Sequence, residues 1–193
     1  MPSTILITAI LFLLVGYFFG WHQRGQTQVD STTGLLNKKA FNEALALAAE
    51  SAADGETLVI CFLDVDHFKQ VNDRFGHLAG DHLLEVIGQQ FEALLPGKCY
   101  RWGGDEFASL LPMEMDDACQ LAESLRGSIE QAKVHYQGDE IRATVSIGLA
   151  AMEADELESR SALPTADAAL YRAKSMGGNL ICFGPSQAEA SGQ

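Results

Sequence analysis

The chain has 193 residues, of which 47% are hydrophobic, and its formal net charge is −13. This length accommodates one domain of ordinary size with short extensions, and the apolar content is sufficient for a buried core, which excludes a wholly disordered chain. The acidic charge, together with the lack of any run rich in lysine and arginine, argues against a nucleic-acid partner.

The N-terminal segment from Pro2 to Trp21 contains no charged residue. Its apolar core begins at Ile5 and would form a helix of ~25 Å, slightly short of a hydrocarbon layer of about 30 Å. Tyr17 and Trp21 are aromatic residues of the kind that lie at membrane interfaces. We therefore predict a single transmembrane helix at about residues 4–21. A cleaved signal peptide and a buried core helix are the alternatives, although the segment has neither a basic start nor an amphipathic stripe.

Short polar segments flank the predicted domain, which extends over residues 30–184. Residues 22–29 are predicted to form a linker, and the small polar residues of 185–193 predict a disordered tail. Arg24 follows the anchor, and the tendency of positive residues to remain inside the cell favours a cytoplasmic position for the C-terminal domain.

Between Asp30 and Gly184, the hydrophobic pattern alternates between helical and extended segments. Asn37 is suited to cap a helix that begins at Lys38. The alternation predicts an α/β (α+β) fold in which a mixed central sheet is flanked by helices. After that first helix, the predicted elements are a strand at 57–66, helices at 67–76 and 80–95, a hairpin at 100–112, a helix at 115–133, a strand at 141–151, a helix at 165–178 and a strand at 179–183.

Two acidic residues, Asp64 and Asp66, stand at the end of the predicted strand, where ligand sites of such sheets are found. Asp66 precedes a predicted helix, so that capping of this helix is the structural alternative for its carboxylate. Asp64 lies before the cap position, and a carboxylate buried there needs a partner or a metal ion.

Asp105 and Glu106 follow two glycines in the turn of the predicted hairpin. If the hairpin pairs with the strand that ends at Asp64, the acids approach each other, and close carboxylates are unfavourable unless they share a cation. Mg²⁺ prefers such oxygen ligands together with substrate phosphates. The alternative is an ordinary polar turn, for which Gly-Gly-Asp is a common sequence. Arg101 either offsets this acidic cluster or is an exposed strand residue.

Five blocks of the sequence form a recognisable series. The blocks are DSTTGLLNKKAF at 30–41, FLDVDHFKQVNDRFGHLAGDHLL at 62–84, RWGGDEF at 101–107, VSIGLA at 145–150 and ADAALYRAKSMGGN at 166–179. In this order they resemble the GGDEF family, the diguanylate cyclases. The resemblance covers essentially all of the segment from Asp30 to Phe183 and implies a nucleotide-cyclase-like GGDEF domain. Enzymes of this family condense two GTP into cyclic di-GMP and release two pyrophosphates, with two domains facing each other as a homodimer.

By this resemblance, Asp64, the backbone carbonyl of Val65, Asp105 and Glu106 bind Mg²⁺, for which Mn²⁺ is a possible substitute. The resemblance also implies that one of the two neighbouring acids, with Asp105 favoured, is the base for the 3′-hydroxyl of GTP. The glycines before them carry no side chains, which allows the backbone to approach the nucleotide closely.

The resemblance further implies which residues bind the guanine base. Asn72 and Asp81 match the family's base-binding pair, and His77 lies between them. Guanine presents two donors, N1–H and the N2 amino group, which a carboxylate can accept. Adenine has an unprotonated N1 at the same edge, and a site that leaves its polar groups unpaired discriminates strongly.

Phosphate contacts are implied at two lysines, Lys69 and Lys174, although each would otherwise be an ordinary solvated helix residue. The backbone N–H groups near His67 and Phe68, at a helix start, are also suited to phosphate.

Three positions depart from the family pattern. Leu94 and Gly97 stand where many members carry a charged pair that binds the inhibitory product, so we expect weak product inhibition. Gly178 replaces an arginine that contacts phosphate, which is expected to weaken GTP binding.

Two functions remain open. The first is an active diguanylate cyclase, anchored by one helix in the lipid of a bacterial inner membrane. The second is a catalytically weak domain that binds GTP or another protein and signals by contact. The intact acidic residues favour the first.

Overall fold

The structure is a computed structural model that describes residues 28–51, 57–95, 98–153 and 159–184. The predicted anchor and tail lie outside these ranges, as does most of the predicted linker, so all three remain predictions. None of the helices formed by the described residues is long and apolar enough to cross a membrane.

The described residues form eight strands, six of which make one mixed sheet. The strands are β1 (Leu36–Asn37), β2 (Thr57–Val65), β3 (Cys99–Gly103), β4 (Glu106–Leu111), β5 (Val134–Tyr136), β6 (Asp139–Ile141), β7 (Val145–Glu153) and β8 (Ile181–Phe183). The order in the sheet is β1-β3-β4-β2-β7-β8, and β5 pairs with β6 in a separate hairpin. The edge strands β1 and β8 run parallel to their neighbours, while the central strands pair antiparallel.

Five helices are described, and they cover both faces of the sheet. They are α1 (Lys38–Ser51), α2 (Phe68–Phe75), α3 (His77–Leu94), α4 (Met115–Gln131) and α5 (Ser159–Ser175). Side chains of α3 and α4 pack on one face, and those of α1 and α5 pack on the other. The predicted fold class, a mixed sheet flanked by helices, is therefore confirmed.

Successive residues of β2 point to opposite faces of the sheet. Val59, Cys61 and Leu63 belong to the core beneath α3 and α4, whereas Ile60 and Phe62 belong to the core beneath α1 and α5. A strand that is buried on both faces is a continuous apolar run in the sequence, which is why it was predicted correctly. This run ends at the acidic residues of the candidate site.

Two local features position the elements around that site. Asn37 caps α1 as predicted, because its Oδ1 accepts hydrogen bonds from the backbone N–H groups of Lys39 and Ala40, at 3.0 and 3.2 Å. Gly148 of β7 lies directly beneath α5, where an added Cβ would overlap the carbonyl oxygen of Ala166. The lack of a side chain at this glycine lets α5 pack close to the sheet.

The predicted helix bounds differ most from the structure at two helices. One predicted helix, 80–95, is α3 and begins earlier, at His77, directly after Gly76, whose φ of +87° allows the sharp change of direction from α2. The other, 165–178, is α5, which begins six residues earlier than predicted, at Ser159. It ends at Ser175, because Gly178 folds back and donates its N–H to a carbonyl of the last turn.

The predicted strand 141–151 is interrupted in the structure. Ile141 ends β6, and β7 begins only at Val145. The β5–β6 hairpin was not predicted, although its turn residues Gln137 and Gly138 have positive φ values of 50° and 95°, as a tight two-residue turn requires.

Candidate functional site

The ends of β2 and β4 bring acidic residues together. Asp64 is the direct cross-strand partner of Glu106, and the backbone N–H of Val65 donates to the carbonyl of Asp105 at 3.2 Å. Paired residues of antiparallel strands share a face of the sheet, with Cβ atoms about 4.5–5.5 Å apart. The predicted approach of the hairpin turn to Asp64 is confirmed, with Glu106 rather than Asp105 in the paired position.

The glycines of this turn shape it. The β3–β4 register shifts between Arg101 and Gly103, so that β3 contains a bulge just before the turn. Gly104 has a φ of +36°, and a Cβ on Gly103 would lie 3.8 Å from Oε2 of Glu106. Two glycines before the acidic residues leave the neighbouring carboxylates partly accessible.

Asp64 is largely buried, with 14% of its side chain exposed, and its Oδ1 contacts Nζ of Lys174. Burial raises the pKa of Asp64 to about 6, the Lys174 ammonium lowers it, and the Asp105 and Glu106 carboxylates raise it again. Lys174 reaches this position from the last turn of α5. Among the described groups that act on Asp64, two are carboxylates and one is an ammonium. A divalent cation would reduce the repulsion between the clustered carboxylates.

The donor atoms at this site suit a hard cation. Asp64, Asp105 and Glu106 offer carboxylate oxygens, and Val65 offers a backbone carbonyl, which are the ligand types that Mg²⁺ and Mn²⁺ prefer. Within the described ranges, no three histidine, cysteine or carboxylate side chains lie close enough to form a metal site by themselves. A cation held here would need further oxygen ligands, which nucleotide phosphates and water provide. The residues therefore fit Mg²⁺ together with an anionic ligand.

Asp66 does not cap α2, so the structural alternative suggested by the sequence was wrong. The N-cap position belongs to His67, whose side chain makes no cap hydrogen bond. Asp66 is buried, and its carboxylate accepts hydrogen bonds from the hydroxyls of Thr144 and Ser146, both at 2.7 Å, and from the backbone N–H of Asn179 at 2.8 Å. The carboxylate thus joins the end of β2 to the start of β7 and to the turn after α5, which are distant in sequence.

The role of Asn179 was missed at the level of sequence. Its Oδ1 accepts a hydrogen bond from Nη1 of Arg126 at 2.6 Å, and its Nδ2 donates to Oε1 of Glu130 at 2.7 Å, so that it joins α4 to the turn after α5. Its φ is +53°, a conformation that asparagine tolerates better than most residues. An asparagine after two glycines at a helix end was the available signal.

The predicted phosphate-binding segment connects β2 to α2. His67 has a left-handed φ of +57°, unusual for a residue other than glycine. α2 starts at Phe68, whose side chain packs against the core, and Lys69 is exposed on the same turn. A short and sharply turned segment therefore joins Asp64 to the start of the helix.

The predicted guanine-binding residues lie where α2 meets α3. Asn72 Oδ1 is buried and has no hydrogen-bond partner among the described residues. Gly80 faces this atom so closely that an added Cβ would overlap it. Asp81 follows and is exposed, as is His77 at the start of α3. Because a buried acceptor without a donor is costly, the Asn72 oxygen indicates a position for a ligand donor.

Arg101 is largely buried rather than exposed, with 10% of its side chain accessible. Burial lowers the pKa of Arg101, and the negative charges of Asp30, Asp105 and Asp81 oppose this shift. Its Nη1 lies 3.9 Å from Oδ1 of Asp30, and its guanidinium lies 5.0 Å from the ring of Phe107. Of the two sequence interpretations, the structure favours the one in which Arg101 offsets the acidic cluster.

The structure describes two of the three positions that depart from the family pattern, Leu94 and Gly178. Leu94 ends α3 and is 38% exposed, while Gly97 lies outside the described residues, so weak product inhibition remains a prediction. Gly178 has a φ of +77°, and a Cβ there would lie 2.9 Å from Oδ1 of Asp66. Glycine at this position therefore matches the local geometry of the turn.

Comparisons with known proteins agree with this geometry. A family model described as diguanylate cyclase, GGDEF domain, matches residues 27–180. The diguanylate cyclase DgcP of Pseudomonas aeruginosa is 40% identical over 159 residues, a match that covers 80% of this chain and 24% of DgcP. An uncharacterized membrane protein of Staphylococcus saprophyticus is 34% identical over 195 residues, covering 95% of this chain and 55% of the relative. The chain thus spans 24% of the length of DgcP and 55% of the length of the staphylococcal relative.

Solved structures share the fold. The GGDEF domain of DgcB from Caulobacter crescentus, in complex with c-di-GMP, superposes with a TM-score of 0.74 at 30% identity, covering 82% of this chain and 96% of that domain. Diguanylate cyclase SiaD from Pseudomonas aeruginosa, in complex with its activator SiaC, superposes with a TM-score of 0.76 at 32% identity, covering 94% of this chain and 71% of SiaD.

Proposed function

The chain belongs to the GGDEF domain family, and on this premise we propose that it is a diguanylate cyclase that condenses two GTP into cyclic di-GMP with release of two pyrophosphates. The observation that carries the proposal is the pairing of Asp64 with Glu106, with Lys174 in contact with Asp64. Several carboxylates beside an ammonium suit a complex of a divalent cation with a triphosphate.

The acidic residues share one role in the proposed reaction, and Asp105 has a second. Asp64, the Val65 carbonyl, Asp105 and Glu106 would hold Mg²⁺ or Mn²⁺, and bound metal would neutralise charge on the attacking and leaving oxygens. Asp105 accepts the proton of a 3′-hydroxyl while that oxygen forms a bond to the α-phosphorus of the other GTP. The bond from this phosphorus to pyrophosphate breaks, and the same exchange at the second GTP closes the ring.

Positively charged and N–H groups of the chain would hold the triphosphate. Lys174 contacts Asp64, and Lys69 projects from the first turn of α2, so both ammonium groups belong to segments that adjoin the carboxylates. The backbone at His67 and Phe68 makes the sharp turn into α2, where N–H groups have no helical partner.

The choice of GTP would depend on Asn72 and Asp81, with His77 close to them in the chain. The orphan Oδ1 of Asn72 supports this assignment, since a base donor would satisfy it. Asp81 would accept from N1–H and N2–H of guanine, donors that adenine lacks at that edge.

The proposed reaction needs two domains, because each holds one GTP and each performs the same attack. A homodimer with a two-fold axis follows from that symmetry. We extend the proposal to a single-pass protein of the bacterial inner membrane with its catalytic domain in the cytoplasm. The apolar residues at about 4–21 support this, as does the membrane-protein name of the staphylococcal relative.

The test is incubation of the purified full chain with GTP and Mg²⁺, followed by chromatography for cyclic di-GMP and pyrophosphate. Formation of both products at a 1:2 ratio is expected, and Asp105→Asn serves as the matched inactive control. GTP binding without product would instead favour the alternative of a catalytically weak signalling module.

A further inference from the structure

Lys174 and Asp64 form an ion pair at the place where a divalent cation is expected. The Lys174 Nζ contacts Asp64 Oδ1, with 35% and 14% of the two side chains exposed. Among the described groups that act electrostatically on Asp64, this ammonium stabilises the ionised carboxylate, whereas the carboxylates of Asp105 and Glu106 destabilise it. The lysine therefore supplies positive charge to the acidic cluster.

An ammonium and a divalent cation compete for this carboxylate. Two cations held a few ångströms apart in a half-buried site repel each other strongly. A metal ion that binds Asp64 therefore has to displace the Lys174 ammonium, and the displaced charge needs a new acceptor.

The Lys174 side chain can move its ammonium group while the backbone of α5 stays in place. Its neighbour Ala173 is fully buried, and the carbonyl of Ala173 accepts the N–H of Gly178 at 3.1 Å, which closes the end of α5. The lysine side chain, in contrast, is a flexible four-carbon stem with a compact charge at its tip. The ammonium can leave Asp64 while the helix stays in place.

We propose that Lys174 is an exchangeable counterion for Asp64: it pairs with the carboxylate before ligands bind and transfers to a triphosphate when a divalent cation and nucleotide bind together. This inference rests on the proposed function for the identity of the nucleotide. The exchange makes metal and nucleotide binding cooperative. The metal ion releases the Lys174 ammonium from Asp64, and the nucleotide phosphate accepts that ammonium, so each ligand strengthens binding of the other. Metal alone binds weakly, since it must expel the ammonium into water without a phosphate to receive it.

The proposal predicts effects of opposite sign for one substitution. Lys174→Met removes the ammonium but keeps a long apolar stem, so that Asp64 becomes free to bind metal in the absence of nucleotide. The same change removes a phosphate partner and weakens nucleotide binding. A lysine that only contacted phosphate would show the second effect without the first.

The metal arm of the test uses Mn²⁺ as the probe, with the full chain at a fixed neutral pH and no nucleotide, and measures free Mn²⁺ by electron paramagnetic resonance. Lys174→Met is expected to tighten Mn²⁺ binding about five- to tenfold, the size of a partly buried ion pair. Lys69→Met is the matched control, since Lys69 is exposed near the same site and forms no ion pair within the described part of the chain. It removes the same charge and is expected to change the affinity less than about twofold.

Equal tightening in both variants would overturn the proposal, because it would reflect net charge alone. Unchanged, weaker or absent Mn²⁺ binding in Lys174→Met would also overturn it. Adding Asp64→Asn to Lys174→Met should abolish the gain, which identifies Asp64 as the ligand. Lys174→Gln repeats the comparison if the Met variant unfolds before the wild type in a thermal melt.

The nucleotide arm measures binding of 3′-deoxy-GTP with Mg²⁺ by calorimetry, since this nucleotide lacks the attacking hydroxyl and cannot condense. Lys174→Met is expected to weaken this binding at least about fivefold. Unchanged nucleotide affinity would overturn the transfer step. If the wild-type protein makes no cyclic di-GMP from GTP, the proposed function fails, but the Mn²⁺ comparison still decides whether Lys174 and metal compete.

Discussion

The Asp66 carboxylate accepts a hydrogen bond of 2.8 Å from the backbone N–H of Asn179, which lies 113 residues later in the chain. The same carboxylate binds the hydroxyls of Thr144 and Ser146. The end of β2 is thereby tied to the start of β7 and to the turn that closes α5. Because Lys174 lies in the last turn of α5, this connection supports its position at the candidate site.

Replacement of Asp66 by alanine should destabilise the fold. Three donors would lose a buried charged acceptor, so the free energy of unfolding should fall by about 2–4 kcal/mol. Asp66→Asn should lower the free energy of unfolding less. The amide oxygen can still accept the hydrogen bond from the Asn179 N–H, and the amide NH₂ can donate to the Ser146 hydroxyl, which can rotate to accept it. Urea unfolding measures both, and Asp167→Ala, an exposed change on α5, is the control. Equal loss in all three variants would refute the role of Asp66.

Substitution of Asp64 or Asp105 by asparagine should abolish cyclic di-GMP formation and leave the fold intact. Each change removes a charge at nearly constant volume, so that metal and proton acceptor are lost without a cavity. Product chromatography gives the rate, and circular dichroism checks the fold. Turnover close to that of the wild type in either variant would show that the metal assignment is wrong.

Asp64→Asn should also make stability depend less on pH. Burial raises the pKa of Asp64 from 3.8 to about 6, so between these values the folded protein binds more protons than the unfolded chain, and stability falls as pH rises. Removing this carboxylate should add about 2 kcal/mol to the free energy of unfolding at pH 7.5 and little at pH 4. Lys174 is exposed enough to be hydrated after the change. Urea unfolding at the two pH values gives the comparison, and a gain of equal size at both would contradict the raised pKa.

Asp81→Ala should reduce discrimination between nucleotides. Guanine donors would lose their acceptor, so GTP binding should weaken by about 1–3 kcal/mol, while ATP binding, already poor, should change little. Calorimetry with 3′-deoxy nucleotides measures both, and Asp73→Ala, an exposed change on α2, controls for the lost negative charge. A loss of the same size for both nucleotides would indicate a structural role for Asp81.

One substitution, glycine to alanine, should have opposite effects at two positions. Gly148→Ala should destabilise the protein by at least about 2 kcal/mol, because the new methyl would meet the α5 backbone at the Ala166 carbonyl. Gly127→Ala in α4 should stabilise it by up to about 1 kcal/mol, since the position is helical and open. Thermal melts compare the two. Tolerance of alanine at Gly148 would mean that α5 packs less closely than the structure has it.

Local sequence determined the elements whose causes lie within a few residues. The apolar run that ends at Asp64 predicts β2, because a strand buried on both faces has no polar alternation. Asn37 predicts the start of α1, because its side chain reaches backbone N–H groups only two and three residues ahead. The acidic residues of the candidate site were found in the same way, as charges placed where apolar strands end.

Tertiary structure decided which of these residues meet. The sheet register pairs Asp64 with Glu106, and the close packing of α5 over Gly148 supports the contact between Lys174 and Asp64. Asp66 resembled a helix cap in the sequence, because a carboxylate before a helix usually bonds to that helix, yet its partners lie 78 to 113 residues away. Such contacts depend on strand register and on the distance between packed layers, and neither quantity is contained in the few neighbouring residues that set local conformation.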